Sequence, residues 1–170
     1  MQKVIVIGCP GAGKSTFARR LRDVTGLPLH YLDRIWHRPD RSTVSREEFD
    51  ARIGGLLQGE RWILDGNYIR TLGVRLAACD AVFFLDYPQD VCLAGAAARV
   101  GKPREDLPWV EESLDEEFAA WIASFAEEQR PRILALLQEY GAGREVFVFH
   151  SRDEAAQWLA RFQKSLAEGP

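Results

Sequence analysis

Residues 8–15 read Gly-Cys-Pro-Gly-Ala-Gly-Lys-Ser and follow directly on the β-branched run Val4-Ile5-Val6-Ile7. Beyond them Phe17, Ala18, Leu21 and Val24 recur at helical spacing until Gly26 and Pro28 close the pattern. A strand that ends in glycine and leads into a helix makes the backbone curl tightly. The curl turns its N–H groups inward, at the positive end of the helix. The result is an anion nest, and G-x-x-x-x-G-K-[ST] in this strand-to-helix context spells a phosphate-binding loop. In that reading Gly8, Gly11, Ala12 and Gly13 supply backbone and Lys14 reaches the β and γ phosphates. Ser15 coordinates Mg²⁺, and Thr16 bonds a neighbouring phosphate oxygen. The expected ligand is ATP with Mg²⁺. Cys9 lies inside the loop and reads either as a thiol activated by its positive field or as a small apolar filler.

The rest of the chain continues the alternation. Residues 29–32 and 61–65 are short strand candidates, 81–85 is an apolar run suited to a central strand, and 145–149 is a last strand. Helical periods lie between them. Ser45-Arg46-Glu47-Glu48, Ser113-Leu114-Asp115-Glu116 and Ser151-Arg152-Asp153-Glu154 each have the capping-box form before an apolar stripe. Residues 89–99 also read as helix, and Pro131 breaks or restarts the helix before it. Parallel neighbours need crossover connections, so strands alternating with helices predict an α/β/α three-layer sandwich with a parallel sheet. With no repeat or linker, one domain over residues 1–170 is expected. The stretch 100–109 has one glycine, two prolines and mixed charges without a period, and it reads as a mobile lid spanning roughly residues 100–113.

Composition narrows the company this domain keeps. A formal charge of −3 gives no footprint for duplex DNA, whose nonspecific grip comes from neutralised phosphates, so direct nucleic-acid binding is not expected. Cys9, Cys79 and Cys92 lack CxxC pairing, and His30, His37 and His150 lack zinc-like spacing with them. No stretch has the length of a membrane span, and no leader pattern opens the chain, so the expected address is cytoplasmic.

A phosphate loop alone does not separate kinases from other nucleotide hydrolases. Asp65, closing the third strand, is a second candidate for Mg²⁺, although strand-end aspartates also serve simply as solvated turn residues. Arg99 and Arg104 border or enter the lid, and Arg130 and Arg132 flank the helix break. Phosphoryl transfer needs cations over the equatorial oxygens and exclusion of water, which an arginine-bearing lid supplies. Solvated surface arginines are the alternative.

Several elements together resemble the adenylate-kinase-like P-loop proteins known as DNA topology modulation proteins, relatives of nucleoside monophosphate and shikimate kinases. They are residues 8–16, Leu32-Asp33 with Trp36, Trp62-Ile63-Leu64-Asp65-Gly66-Asn67-Tyr68, Leu85-Asp86-Tyr87-Pro88, Cys92-Leu93, Leu114-Asp115-Glu116-Glu117-Phe118 and Arg130-Pro131. The resemblance implies a five-stranded parallel sheet in order 2-3-1-4-5 and a lid after strand 4. It also implies a metal role for Asp65 and an acceptor held by Asp33, Asn67, Tyr68 and Arg75, with Lys14, Asp33, Arg99 and Arg130 catalytic. Where the group carries two arginines four apart after Cys92, this chain has Gly95 and Arg99, so one lid-side cation is missing. The leading expectation is a kinase acting on a nucleotide or small hydroxylated metabolite. A nucleotide-operated regulatory module and a slow ATPase are the alternatives.

Overall fold

Val4, Ile5, Val6 and Ile7 have no exposed surface. A strand buried on both faces needs neighbours on both edges and layers above and below. The computed structural model describes residues 1–168 and meets that demand with five parallel strands in the order β2-β3-β1-β4-β5. These are β1 (Lys3–Gly8), β2 (Leu29–Tyr31), β3 (Trp62–Asp65), β4 (Ala81–Leu85) and β5 (Glu145–Phe149). β1 sits between β3 and β4, with Val6 level with Asp65 and Gly8 with Leu85, so the phosphate loop leaves the sheet beside Asp65.

Helices cover both faces. α1 (Lys14–Thr25) and α8 (Arg152–Glu168) pack on one side, where Phe17 and Trp158 close on Phe83 at ring distances of 5.0 and 4.7 Å. α2 (Leu32–Trp36) and α3 (Arg46–Leu57) follow β2, and α4 (Ile69–Ala78) follows β3. α5 (Gln89–Ala97), α6 (Glu116–Glu128) and α7 (Arg130–Tyr140) follow β4, with α4 packed on α7.

Some sequence expectations shift by a turn. β2 stops at Tyr31, and Asp33 stands in the first turn of α2, where its charge suits the helix N-terminus. Asp115, not Ser113, caps α6, accepting the Phe118 amide at 2.8 Å. Ser45 and Ser151 do accept the amides of Glu48 and Glu154. Pro131 lies in the first turn of α7, where its missing amide costs nothing.

One contact ties loop to helix. Gly11 (φ 84°) lies against α5 so closely that a Cβ there would fall 2.0 Å from the Cys92 carbonyl oxygen, and a Cβ on Gly95 would fall 2.1 Å from the Gly11 carbonyl oxygen. Both obstacles are backbone, so no rotamer relieves them. Gly95→Ala is expected to lose about 1–3 kcal/mol in urea unfolding through overpacking, outweighing a helix-propensity gain of about 1 kcal/mol. Gly54→Ala, in an open stretch of α3 with nothing within 4 Å, keeps only that gain and should stabilise.

Candidate functional site

The loop curls as its glycines require, with the Ala12 amide bonded to the Cys9 carbonyl at 3.1 Å and Lys14 Nζ resting on the same oxygen at 3.3 Å. It forms the floor of a cleft of about 1180 Å³ that also takes in Asp33, Asp65, Asn67, Tyr68, Arg99 and Arg104. That exceeds the roughly 300–1,000 Å³ of an ordinary small-molecule pocket. Cys9 is a buried free thiol, and the neighbouring Cys92 thiol, together with burial, pushes its pKa up, so it packs as an apolar filler.

Asp65 is 4% exposed, and its Oδ1 has no hydrogen-bond partner among the described residues. Burial pushes its pKa up to about 7, with the Lys14 charge and the Ser15 hydroxyl pulling the other way and Asp33 and Asp106 adding to the rise. Ser15 Oγ donates instead to Asp106 Oδ2 at 3.1 Å. Asp106 belongs to the lid and is 3% exposed. Burial opposes its ionisation, but the hydrogen bonds and charge of Arg104 hold its carboxyl below the usual range.

The lid is irregular from residue 98 to 115, as its composition implies, but it is stapled down. Arg104 pairs with Asp106 and Glu111, Arg99 pairs with Glu111 at 3.0 Å, and the Gly101 amide bonds the Glu111 carbonyl at 2.7 Å. Glu105 reaches across the cleft mouth to the Tyr31 hydroxyl at 2.9 Å and to Arg22 at 3.2 Å. Both lid arginines line the cleft.

Three candidate residues do other work. Arg75 has no exposed surface and donates to the carbonyls of Gly66, Asn67 and Tyr68, so it staples the turn after β3 and does not reach an acceptor. Arg130 pairs with Asp86 at 2.8 Å, and neither is among the residues that line the cleft, because its guanidinium is spent on the carboxylate that follows β4. Asn67 borders the cleft but spends its amide on both backbone groups of Gly8, at 3.0 and 2.8 Å, and so joins the turn to the phosphate loop. Tyr68, by contrast, donates its hydroxyl to Asp33 Oδ1 at 2.8 Å within the cleft. Thr16 is exposed and accepts from Arg19 at 3.2 Å.

Two residues were missed. Asp106 is hidden in a segment whose arginines drew the attention. Arg152 opens α8 and lines the cleft. Its Nη2 lies 3.5 Å from the Gly11 carbonyl oxygen and 2.7 Å from where a Gly95 Cβ would stand. A cation thus occupies the place beside Gly95. The sequence signal was a positive residue at a helix N-terminus, where the dipole disfavours it.

The same scaffold is found in shikimate kinases. The structure of shikimate kinase from Acinetobacter baumannii in complex with shikimate superposes with a TM-score of 0.61 over 99% of this chain and 94% of that one, at 14% identity. This chain has the P-loop NTPase fold. Shikimate kinase from Bacteroides thetaiotaomicron agrees, with a TM-score of 0.59 over 98% of each chain at 17% identity. By sequence, adenylate kinases from Thermotoga petrophila and Thermotoga maritima are each 31% identical over 99 residues, 55% of this chain. The match covers 43% of those relatives, so the chain spans under half their length. The chain matches no protein-family model. These likenesses are to kinases.

Two stability measurements test these placements. Arg75→Met removes its donor from the Gly66 and Asn67 carbonyls, the Tyr68 carbonyl keeping the Thr71 amide, and should cost about 2–3 kcal/mol in urea unfolding, where a residue clamping a ligand in an open cleft would cost little. Asp65 keeps a proton in the folded chain that the unfolded chain, with its ordinary value of 3.8, has given up. Its contribution is therefore present below the unfolded value and is lost as pH rises towards about 7. In metal-free buffer Asp65→Asn should melt higher than the parent at pH 8, with the gap closing towards pH 4. An equal gap at both pH values would contradict the buried charge.

Proposed function

We propose that the cleft transfers the γ-phosphoryl group of ATP to the hydroxyl of a small acceptor, and the observation that carries this is the orphaned Asp65 Oδ1 beside Ser15 and Lys14. A buried carboxylate oxygen without a donor calls for a cation. Ser15 and Asp65 therefore fit Mg²⁺, which when bound with ATP neutralises the phosphate oxygens. The loop amides hold the β and γ phosphates, and Lys14 turns from the Cys9 carbonyl to them. Arg99, Arg104 and Arg152 line the same cleft. The first two would exchange the Glu111 and Asp106 carboxylates for phosphate oxygens as the lid closes.

On the acceptor side, Asp33 Oδ1 is held by Tyr68 and its other oxygen accepts no hydrogen bond among the described residues. Burial, then the Asp33 charge, pushes the Tyr68 phenol pKa far up, so Tyr68 stays a donor that fixes the carboxylate. In the transfer the acceptor oxygen bonds to the γ phosphorus, the bond from that phosphorus to the β–γ bridging oxygen breaks, and ADP leaves. The acceptor proton passes to the free Asp33 oxygen. Elements shared with the topology modulation group border this cleft, Asn67 and Tyr68 on one wall and Asp115 and Phe118 on another, which supports reading the chain with that group.

Titration calorimetry and coupled ADP release test the two halves separately. Lys14→Ala should weaken ATP binding about tenfold to a hundredfold, the loss of one charge-assisted phosphate contact. Asp33→Asn should leave ATP affinity within about threefold and lower acceptor-dependent turnover at least about a hundredfold. Unchanged turnover in Asp33→Asn would remove Asp33 from the reaction.

A further inference from the structure

Resting on that reading, we infer that the acceptor is an uncharged, hydroxyl-bearing ring compound, with nucleosides as the main class, and neither a nucleoside monophosphate nor a carboxylic acid. Most of the arginines around Asp33 and Tyr68 are turned to partners within the protein, and the exposed Arg20 and Lys102 line the wider cleft. Arg75 is sealed under the turn after β3. Arg70 forms a bidentate pair with Asp50 at 2.6 and 2.7 Å, and Arg34 donates to the Glu105 carbonyl. Arg41, the arginine against this wall, is exposed, lies 6.0 Å over the Trp109 ring and faces Glu112 at 3.8 Å. Arg19 is turned to Thr16.

Asp33 adds a negative charge at the place where the acceptor must bring its hydroxyl. Burial lowers the His37 pKa, against the pull of Asp33, so the imidazole is neutral at pH 7. An anion bound here would give up its hydration without a bidentate partner and would face a carboxylate, which disfavours it.

What the walls offer instead is ring surface. Trp36 and Tyr68 stand 6.1 Å apart with Phe49 behind them, at 5.4 Å from Trp36 and 4.8 Å from Tyr68. Facing the cleft from the lid, Trp109 meets the edge of His37 at 5.1 Å. Partly exposed aromatics lining a polar cleft bind flat or ring-shaped ligands through stacking, with the Asp33 oxygen left to accept the hydroxyl. Nucleosides and cyclic sugars share this chemistry, and a nucleoside base presents the larger flat face.

The test is coupled ADP release by the full chain with ATP and Mg²⁺. The acceptors are a panel of nucleosides, a panel of cyclic hexoses, the matching nucleoside monophosphates and shikimate. In parallel, calorimetry measures binding of each acceptor in the presence of ADP. Nucleosides should show kcat/KM at least about tenfold above the monophosphates and shikimate. Trp109→Ala, on the lid and outside the core, should raise the acceptor KM at least about tenfold while ATP affinity stays within about threefold. Trp36→Leu should act in the same direction. Hexoses as the preferred acceptors would keep the uncharged ring and replace the nucleoside as its source. Preference for a monophosphate or for shikimate would overturn the inference and leave phosphoryl transfer standing. Ring compounds that bind without any acceptor-dependent ADP release would overturn phosphoryl transfer and leave the ring site standing. Absence of binding by every uncharged ring, or an unchanged acceptor KM in both tryptophan variants, would overturn the inference outright.

Discussion

The direct backbone contact between Gly11 and α5 is the constraint on which the site depends. A Cβ on either side would fall about 2 Å from a carbonyl oxygen of the other, so loop and helix touch as two bare backbones. α5 is also the helix from which the lid departs, and Arg99 follows its last turn. A displacement of the loop would press on the base of the lid without an intervening side chain. The same contact leaves no room for a side chain at residue 95, and Arg152 of α8 brings its guanidinium to that place.

Charge in the cleft is arranged as a set of exchanges. Asp106 accepts the Ser15 hydroxyl and holds Arg104, Glu111 holds Arg99 and Arg104, and Glu105 reaches over to Tyr31 and Arg22. The Asp106 and Glu111 pairs satisfy partly buried groups whose burial would otherwise be costly, whereas the Glu105 pair is exposed. Asp65 is the exception, buried with one oxygen unpaired. It marks where the protein alone is electrostatically incomplete.

The turn after β3 organises the Asp33 side of the cleft. Arg75, fully buried, ties the carbonyls of residues 66 to 68, Asn67 bonds both backbone groups of Gly8, and Tyr68 holds Asp33. One segment thereby connects the loop of residues 8–15, Asp65 and Asp33. A buried guanidinium suits this task because its planar fork meets several carbonyls at once.

Much of this was legible in the residues. The strand, glycine loop and helix of residues 3–25, the strands at 81–85 and 145–149, and the restart at Pro131 follow from local period and backbone chemistry, which act over a few residues. The strand order 2-3-1-4-5 agrees with what the resemblance implied. Lys14, Ser15, Asp65, Asp33, Tyr68, Arg99 and Arg104 do line one cleft. The partners of the long charged side chains were not legible, because a guanidinium reaches across the fold and its choice of carboxylate or carbonyl depends on which distant segment arrives beside it. That is why Arg75 turned inward to carbonyls, Arg130 went to Asp86, and Arg152, 141 positions from Gly11 in sequence, came to the rim of the loop. The sequence by itself determined the curl of the glycine loop into the start of α1, since glycine conformation and helix polarity are local properties. Only the tertiary structure decided which cations face the cleft, since that is a competition among groups brought together by packing.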